Sequence, residues 1–199
     1  DFLGPIKNKP IQLPNGTILY PSSTESLDEK TWAIHIEKSD ADGKNWKKIN
    51  INCDTFGVIQ PSILTYPNGR LQLLCRSRQN VIVESWSKDN GETWSKLKAT
   101  QLPNPNSGSD AVTLKDGRQL LVYNPLTAGK NWWEGRSALK LAISSDGENW
   151  QDIYTLENHA KGEYSYPAII QDKSGNIHLS YTAERKKITY MEIRLVHSP

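Results

Sequence analysis

Ser87-Lys88-Asp89-Asn90-Gly91-Glu92-Thr93-Trp94 has two looser copies in this chain, Ser39 to Trp46 (SDADGKNW) and Ser144 to Trp150 (SSDGENW). The first carries Ala41 where the middle copy has Asp89, with Asp40 and Asp42 on either side, and the third is one residue shorter before its glycine. Gly43, Gly91 and Gly147 are 48 and 56 positions apart. A period of roughly 40–50 residues is the mark of a propeller or a solenoid. Ser and Asp side chains bond nearby backbone amides, and Gly supplies a positive φ, so each copy reads as a tight turn. Its Trp folds back as an apolar plug, which puts Trp94 against its own sheet and Asp89 on turn amides. Strand-like alternation precedes each copy, as in Trp32, Ile34, Ile36 and Leu139, Leu141, Ile143. A calcium loop of the EF-hand kind needs more acidic ligands and a closing Glu, which none of the copies has.

A second repeat interleaves with the first. PNGTIL (Pro14 to Leu19), PNGRLQLL (Pro67 to Leu74), KDGRQLLVY (Lys115 to Tyr123) and KSGNIHLSY (Lys173 to Tyr181) each place a glycine turn before an apolar run. Asn-Gly and Asp-Gly are strong hairpin signals. The unit therefore reads strand, glycine turn, strand, variable loop, strand, Asp turn, strand: a four-stranded antiparallel blade. Four units start near Lys9, Gln60, Asp110 and Tyr166, and the last stops at Ile193 to Val196 without an Asp turn. The expected class is all-β, a propeller with about four four-stranded blades in one domain over residues 1–199.

Seven Trp and eight Tyr against two Phe and one Met suit such blades, and a net charge of +2 argues against a nucleic-acid groove. No run of eighteen apolar residues predicts a membrane span. Cys53 and Cys75 make no disulfide framework, and Cys75 reads as a small buried strand residue. The histidines His35, His159, His178 and His197 have no metal-ligand spacing, so neither a metal nor a cofactor is expected. The chain begins at Asp1 in mid-pattern, which predicts a processed or missing upstream segment, and localisation is expected to be secreted or periplasmic.

With these repeats the chain resembles the sialidase (neuraminidase) superfamily, in its bacterial branch of BNR-repeat, Asp-box proteins. The resemblance implies a six-bladed propeller, of which this chain would be the C-terminal part, and a glycan substrate ending in an acidic sugar. It also implies a tyrosine nucleophile helped by a glutamate, an aspartate acid/base and three arginines on the sugar carboxylate. Leu73-Leu74-Cys75-Arg76 matches one arginine strand, and Arg136-Ser137-Ala138-Leu139 matches another. Tyr166-Pro167-Ala168-Ile169 stands in the nucleophile's place, with Tyr164 as second choice. The glutamate's position, sixteen residues before Arg76, holds Gln60. An amide cannot take the phenol proton, so Glu25 and Glu163 are the candidate replacements. The first arginine and the acid/base would lie upstream of Asp1. Lys9 is expected to contact the acidic sugar, and Trp133, beside Trp132, to stack on a sugar ring. The amide at Gln60 keeps a second reading open: a non-hydrolytic carbohydrate-binding propeller, or a lyase- or rhamnosidase-type relative.

Overall fold

Each glycine turn closes a hairpin and each Asp turn adds one more strand, which yields meanders without crossovers. The computed structural model describes residues 2–195; Asp1, Val196 and His197, which the sequence reading touches, lie outside them. The first sheet runs β1 (Ile11–Gln12), β2 (Ile18–Glu25), β3 (Trp32–Ser39), β4 (Lys47–Asn50). The second runs β5 (Val58–Thr65), β6 (Leu71–Ser77), β7 (Val81–Ser87), β8 (Lys98–Pro103). The third runs β9 (Asp110–Thr113), β10 (Gln119–Tyr123), β11 (Ala138–Ser144), β12 (Gln151–Asn158), and the fourth β13 (Tyr164–Gln171), β14 (Ile177–Ala183), β15 (Lys187–Ile193). The class is all-β, of the propeller-blade type, and the fourth blade has three strands among the described residues. The only helical element there is a 3-10 turn at Pro67–Gly69.

The strands fall into two compact units, one ending at Leu102 and the other beginning at Pro103. Each has its own core. Leu19, Ile34, Ile36, Leu71, Leu73 and Val83 fill the first. Leu120, Val122, Leu139, Leu141, Ile177 and Leu179 fill the second. Cys75 is fully buried in the first core, and burial pushes its thiol pKa well up. β6 and β10 are buried along their whole length, as second strands of blades covered on both faces are.

All three Asp turns connect the third strand of a sheet to the fourth. In the middle copy Asp89 Oδ1 accepts from the Thr93 amide (2.9 Å) and Oδ2 from the Thr93 hydroxyl (2.5 Å). The Ser87 hydroxyl accepts from the Gly91 amide at 2.9 Å. Asp146 does the same work through the Asn149 amide and carboxamide, both 2.7 Å. In the first copy the job passes to Asp40, which accepts from the Lys44 amide and the Asn45 carboxamide, each at 2.7 Å. The irregular spacing around Ala41 thus shifts the acceptor by one residue and keeps the turn. The indole N–H of Trp46, Trp94 and Trp150 donates to Gly43, Gly91 and Gly147 carbonyls at 2.8, 3.2 and 2.9 Å. Trp94 packs on the core only half-buried, because this bond ties its ring edge to the turn.

Glycine turns and Asp turns lie at the same end of each sheet, since both precede or follow strands that run toward it. In the second sheet they touch. A Cβ on Gly69 (φ +72) would meet Asn90 Oδ1 at 2.6 Å, and the Asn90 amide donates to the Gly69 carbonyl at 3.3 Å. Strand direction then places the start of every first strand, and every connection from second to third strand, at the other end.

Candidate functional site

That other end carries the candidate residues, and the two units hold them separately. In the first unit, two residues of β5, Gln60 and Pro61, oppose the single Cys75 of β6, because pairing jumps from Ile59↔Arg76 to Ser62↔Leu74. Gln60 takes φ 56 at this bulge. A residue before proline is driven toward extended backbone, and a positive φ is uncommon for any side chain but glycine. The site therefore holds Gln60 against its local preference, at a cost of order 1–3 kcal/mol.

Arg76, the last residue but one of β6, lies next to this bulge and is buried. Its Nη1 donates to Gln60 Oε1 at 3.4 Å. Arginine only donates, so the carboxamide oxygen faces the guanidinium and the NH2 turns away. The Gln60 amide reaches Ser23 Oγ of β2 at 3.4 Å, and Asn8 Nδ2 donates to Ser62 Oγ at 2.7 Å. Trp32, first residue of β3, underlies two guanidinium groups: Arg76 at 5.2 Å and Arg78 at 4.0 Å from its ring centre. Such stacking over an indole is worth about 0.5–2 kcal/mol per cation. The Trp32 indole N–H is buried and finds no acceptor among the described residues. Lys9 is half-buried before Pro10, and Glu25 is exposed at the end of β2. A cleft of about 600 Å³ opens beside Trp32 and Gly57.

In the second unit, Tyr166 repeats the Gln60 geometry. It precedes Pro167, has φ 52, and forms with it a bulge between Ser165↔Thr182 and Ala168↔Ser180. The residue is 38% exposed. Tyr164, two residues earlier, stacks on His159 at 4.6 Å instead. Arg136 is only 2% exposed. Its Nη1 donates to Glu163 Oε1 and its Nη2 to the Asn106 carbonyl, both at 2.9 Å. Glu163 also takes Arg185 Nε at 2.8 Å and Nη2 at 3.2 Å, and the Ser165 hydroxyl at 3.2 Å. Burial pushes the Glu163 pKa up, but the bonds from Arg185 and Arg136 outweigh it and hold the carboxyl below its ordinary value. Glu163 is thus no solvated loop acid: it is an ionised hub between two arginines. Both also face Trp132, Arg136 at 5.1 Å and Arg185 at 4.4 Å from its ring.

Trp132 and Trp133 stand 54% and 46% exposed in the β10–β11 connection. Trp133, Gly135, Ser137, Lys161 and Gly162 line a cleft of about 490 Å³. Sequence reasoning missed Arg78 and Arg185. Both sit in a turn between second and third strands, so the signal available was their place in the blade pattern. Among the described residues no group of three or more His, Cys, Asp and Glu gathers as a metal-binding set. No helix there is long and apolar enough to cross a membrane.

Residues 1–179 match the family model described as BNR repeat-like domain. The anhydrosialidase of the leech Macrobdella decora is 24% identical over 180 residues, covering 83% of this chain and 23% of that protein. NanB sialidase of Streptococcus pneumoniae superposes with a TM-score of 0.72 at 16% identity, over 94% of this chain and 30% of its own. The intramolecular trans-sialidase of Ruminococcus gnavus gives 0.70 at 20% identity, over 94% and 43%. The chain therefore spans about a quarter of the leech protein and under half of these two solved relatives.

Proposed function

Since the chain belongs to the BNR repeat-like domain family, within the sialidase superfamily, we propose that it is part of a secreted or periplasmic glycosidase acting on glycans that end in sialic acid. One observation carries the reading. Gln60 and Tyr166 occupy the same strained pre-proline bulge in the second and fourth sheets, at the ends opposite the Asp turns. Strain kept at two matching, accessible positions marks residues selected for where they point.

In this proposal residues 1–199 belong to one propeller domain, whose turns act as Asp boxes. Tyr166 is the nucleophile on the anomeric carbon. A neutral phenol beside an anionic sugar avoids the repulsion that a carboxylate would meet, and it must lose its proton to a base. Gln60 stands in that base's place, and Glu25 is the replacement carboxylate. Arg76 binds the sugar carboxylate. Arg136, with its terminal nitrogens engaged, contributes through the Trp132 face it supports; Lys9 and Trp133 contact the glycan. The amide at Gln60 also favours a second reading, a carbohydrate-binding propeller or a lyase- or rhamnosidase-type relative.

Release of sialic acid from 3′-sialyllactose by the full-length protein tests this. Tyr166→Phe is expected to lower kcat about a hundredfold or more while KM changes little. Arg76→Lys is expected to raise KM, because the planar fork is lost though the charge remains. Unchanged turnover in Tyr166→Phe would remove the tyrosine mechanism, and no release by the wild type would leave the binding reading.

A further inference from the structure

Both units hold their left-handed residue with side chains from the sheet before it. Ser23 stands seven positions after the turn glycine Gly16, and Asn124 seven after Gly117. The two are thus matched in the blade pattern, late in β2 and just past β10. Each reaches the bulged strand of the next sheet. The Gln60 amide donates to Ser23 Oγ at 3.4 Å, and Asn124 Nδ2 donates to the carbonyl of Tyr164, two residues before Tyr166, at 2.8 Å. A second hold comes from the start of the preceding sheet. Asn8 Nδ2 donates at 2.7 Å to Oγ of Ser62, two residues past Gln60. Asp110 Oδ2 accepts at 2.9 Å from the amide of Ile169, three residues past Tyr166. Ser23, Asn8, Asn124 and Asp110 are all buried.

In the second unit the hold is closest. β13 bonds β14 along one edge, and backbone groups on its other edge need partners of their own. The third sheet and its β10–β11 connection supply them on either side of the bulge. Before it, the Tyr164 amide donates to the Arg136 carbonyl at 2.8 Å. The Tyr164 carbonyl takes one hydrogen of the Asn124 carboxamide, and the Ala138 carbonyl takes the other at 2.7 Å. After it, the Ile169 amide is fixed on Asp110. Between these anchors run Ser165, Tyr166, Pro167 and Ala168, and the Ser165 hydroxyl is itself tied to Glu163 at 3.2 Å. A span so short, fixed at both ends and with one φ set by proline, has little freedom left. Tyr166 takes its left-handed backbone inside this frame, against the extended backbone preferred before proline.

We propose that Asn124 and Asp110 are positioning residues, which keep Tyr166 left-handed and thereby keep its phenol where the chemistry needs it. This rests on the reading of Tyr166 as nucleophile and deepens it. Both residues act through the backbone, at Tyr164 and Ile169. With either anchor gone, the backbone can relax toward its extended preference, and that turn about φ swings the Cα–Cβ bond and the ring with it. The residue types suit the two tasks. Asn124 faces two carbonyls and needs two donors, which a carboxylate lacks. Asp110 faces an amide and needs an acceptor, which a carboxylate or a carboxamide oxygen supplies.

Two measurements on the full-length protein test this. In the first, 3-fluorotyrosine is placed at position 166, and its fluorine NMR resonance reports where the ring sits. Asp110→Ala and Asn124→Leu are expected to shift or split that resonance. Asp110→Asn, which keeps an acceptor for the Ile169 amide, is expected to restore it. In the second, sialic acid release from 3′-sialyllactose is followed. Asp110→Ala should lower kcat about tenfold or more with KM changed less than about twofold, and Asp110→Asn should recover most of the loss. A role in stability alone would lower the melting temperature and leave the resonance of the folded protein in place. Should either of the first two variants fail to fold, Asn124→Ser, which keeps one of the two donors, decides in its stead. An unmoved resonance in the folded variants, or no recovery in Asp110→Asn, overturns the proposal. The two readings fail separately. A resonance that moves in a protein releasing no sialic acid sinks the glycosidase function and keeps the positioning of Tyr166. Release that falls in Tyr166→Phe but ignores Asp110→Ala and Asn124→Leu does the reverse.

Discussion

Asp89 spends its carboxylate on four atoms of its own turn, and its acidity records this. The Thr93 hydroxyl, then the Thr93 amide, hold its pKa at about 2 against a small opposing effect of burial. Asp146 is lowered as well, chiefly by the Asn149 carboxamide. A depressed carboxylate pKa contributes stability above the unfolded value, 3.8, and loses it as pH falls through the folded one. The melting temperature should therefore drop between about pH 4 and pH 2, and Asp89→Asn should flatten that slope in a thermal-melt series. Trp94→Ala should cost about 2 kcal/mol in urea denaturation, below the usual ~3–5 for large aromatics, because half the ring is solvated. Glu163 behaves differently, since it is buried together with Arg136, while Arg185 reaches it from a more exposed position. Glu163→Gln leaves Arg136 and Arg185 facing Trp132 without their counter-charge, and should destabilise by about 3 kcal/mol in the same assay.

At the level of strands and turns, the order strand, glycine turn, strand, loop, strand, Asp turn, strand was legible because each turn needs particular side chains. Gly69 and Gly91 must take positive φ, and Asp89 must cap amides, so the letters themselves mark the corners. The bulges were not read. Gln60-Pro61 and Tyr166-Pro167 did announce them, since proline within a strand belongs at an edge or a bulge. Glu163 was legible as a residue but not as a hub, because the partners that fix its role, Arg136 and Arg185, lie 27 and 22 residues away in sequence. Cross-strand geometry, not local pattern, brings them together. The last strand carries its own consequence. β15 is the edge of its sheet in these residues and exposes Ile188 (76%) and Tyr190 (61%). An apolar edge strand pairs readily with another chain. Ile188→Lys should lower self-association of residues 1–199, seen as a smaller weight-average mass by light scattering.

For the chain as a whole, two separate cores imply two protection classes. Leu73→Ala removes a fully buried side chain from the first core. Hydrogen exchange should then quicken in residues up to Leu102 and remain unchanged in β10, β11 and β14. Loss of protection in both regions at once would mean that the units open together. The contact between Gly69 and Asn90 has a further meaning for anyone reshaping this protein. Corners that brace one another tolerate no change of length, so insertion libraries placed at 68–69 or 90–91 should yield few folded clones. The connection from Tyr123 to Ala138, at the far end of its sheet, is pinned near its two ends instead, by Asn124 on the Ala138 and Tyr164 carbonyls and by Arg136 on Glu163, with a mostly exposed stretch between. Foreign segments spliced between those anchors should be accepted more readily than at 68–69, and new ligand preferences can be selected there as long as both anchors are kept.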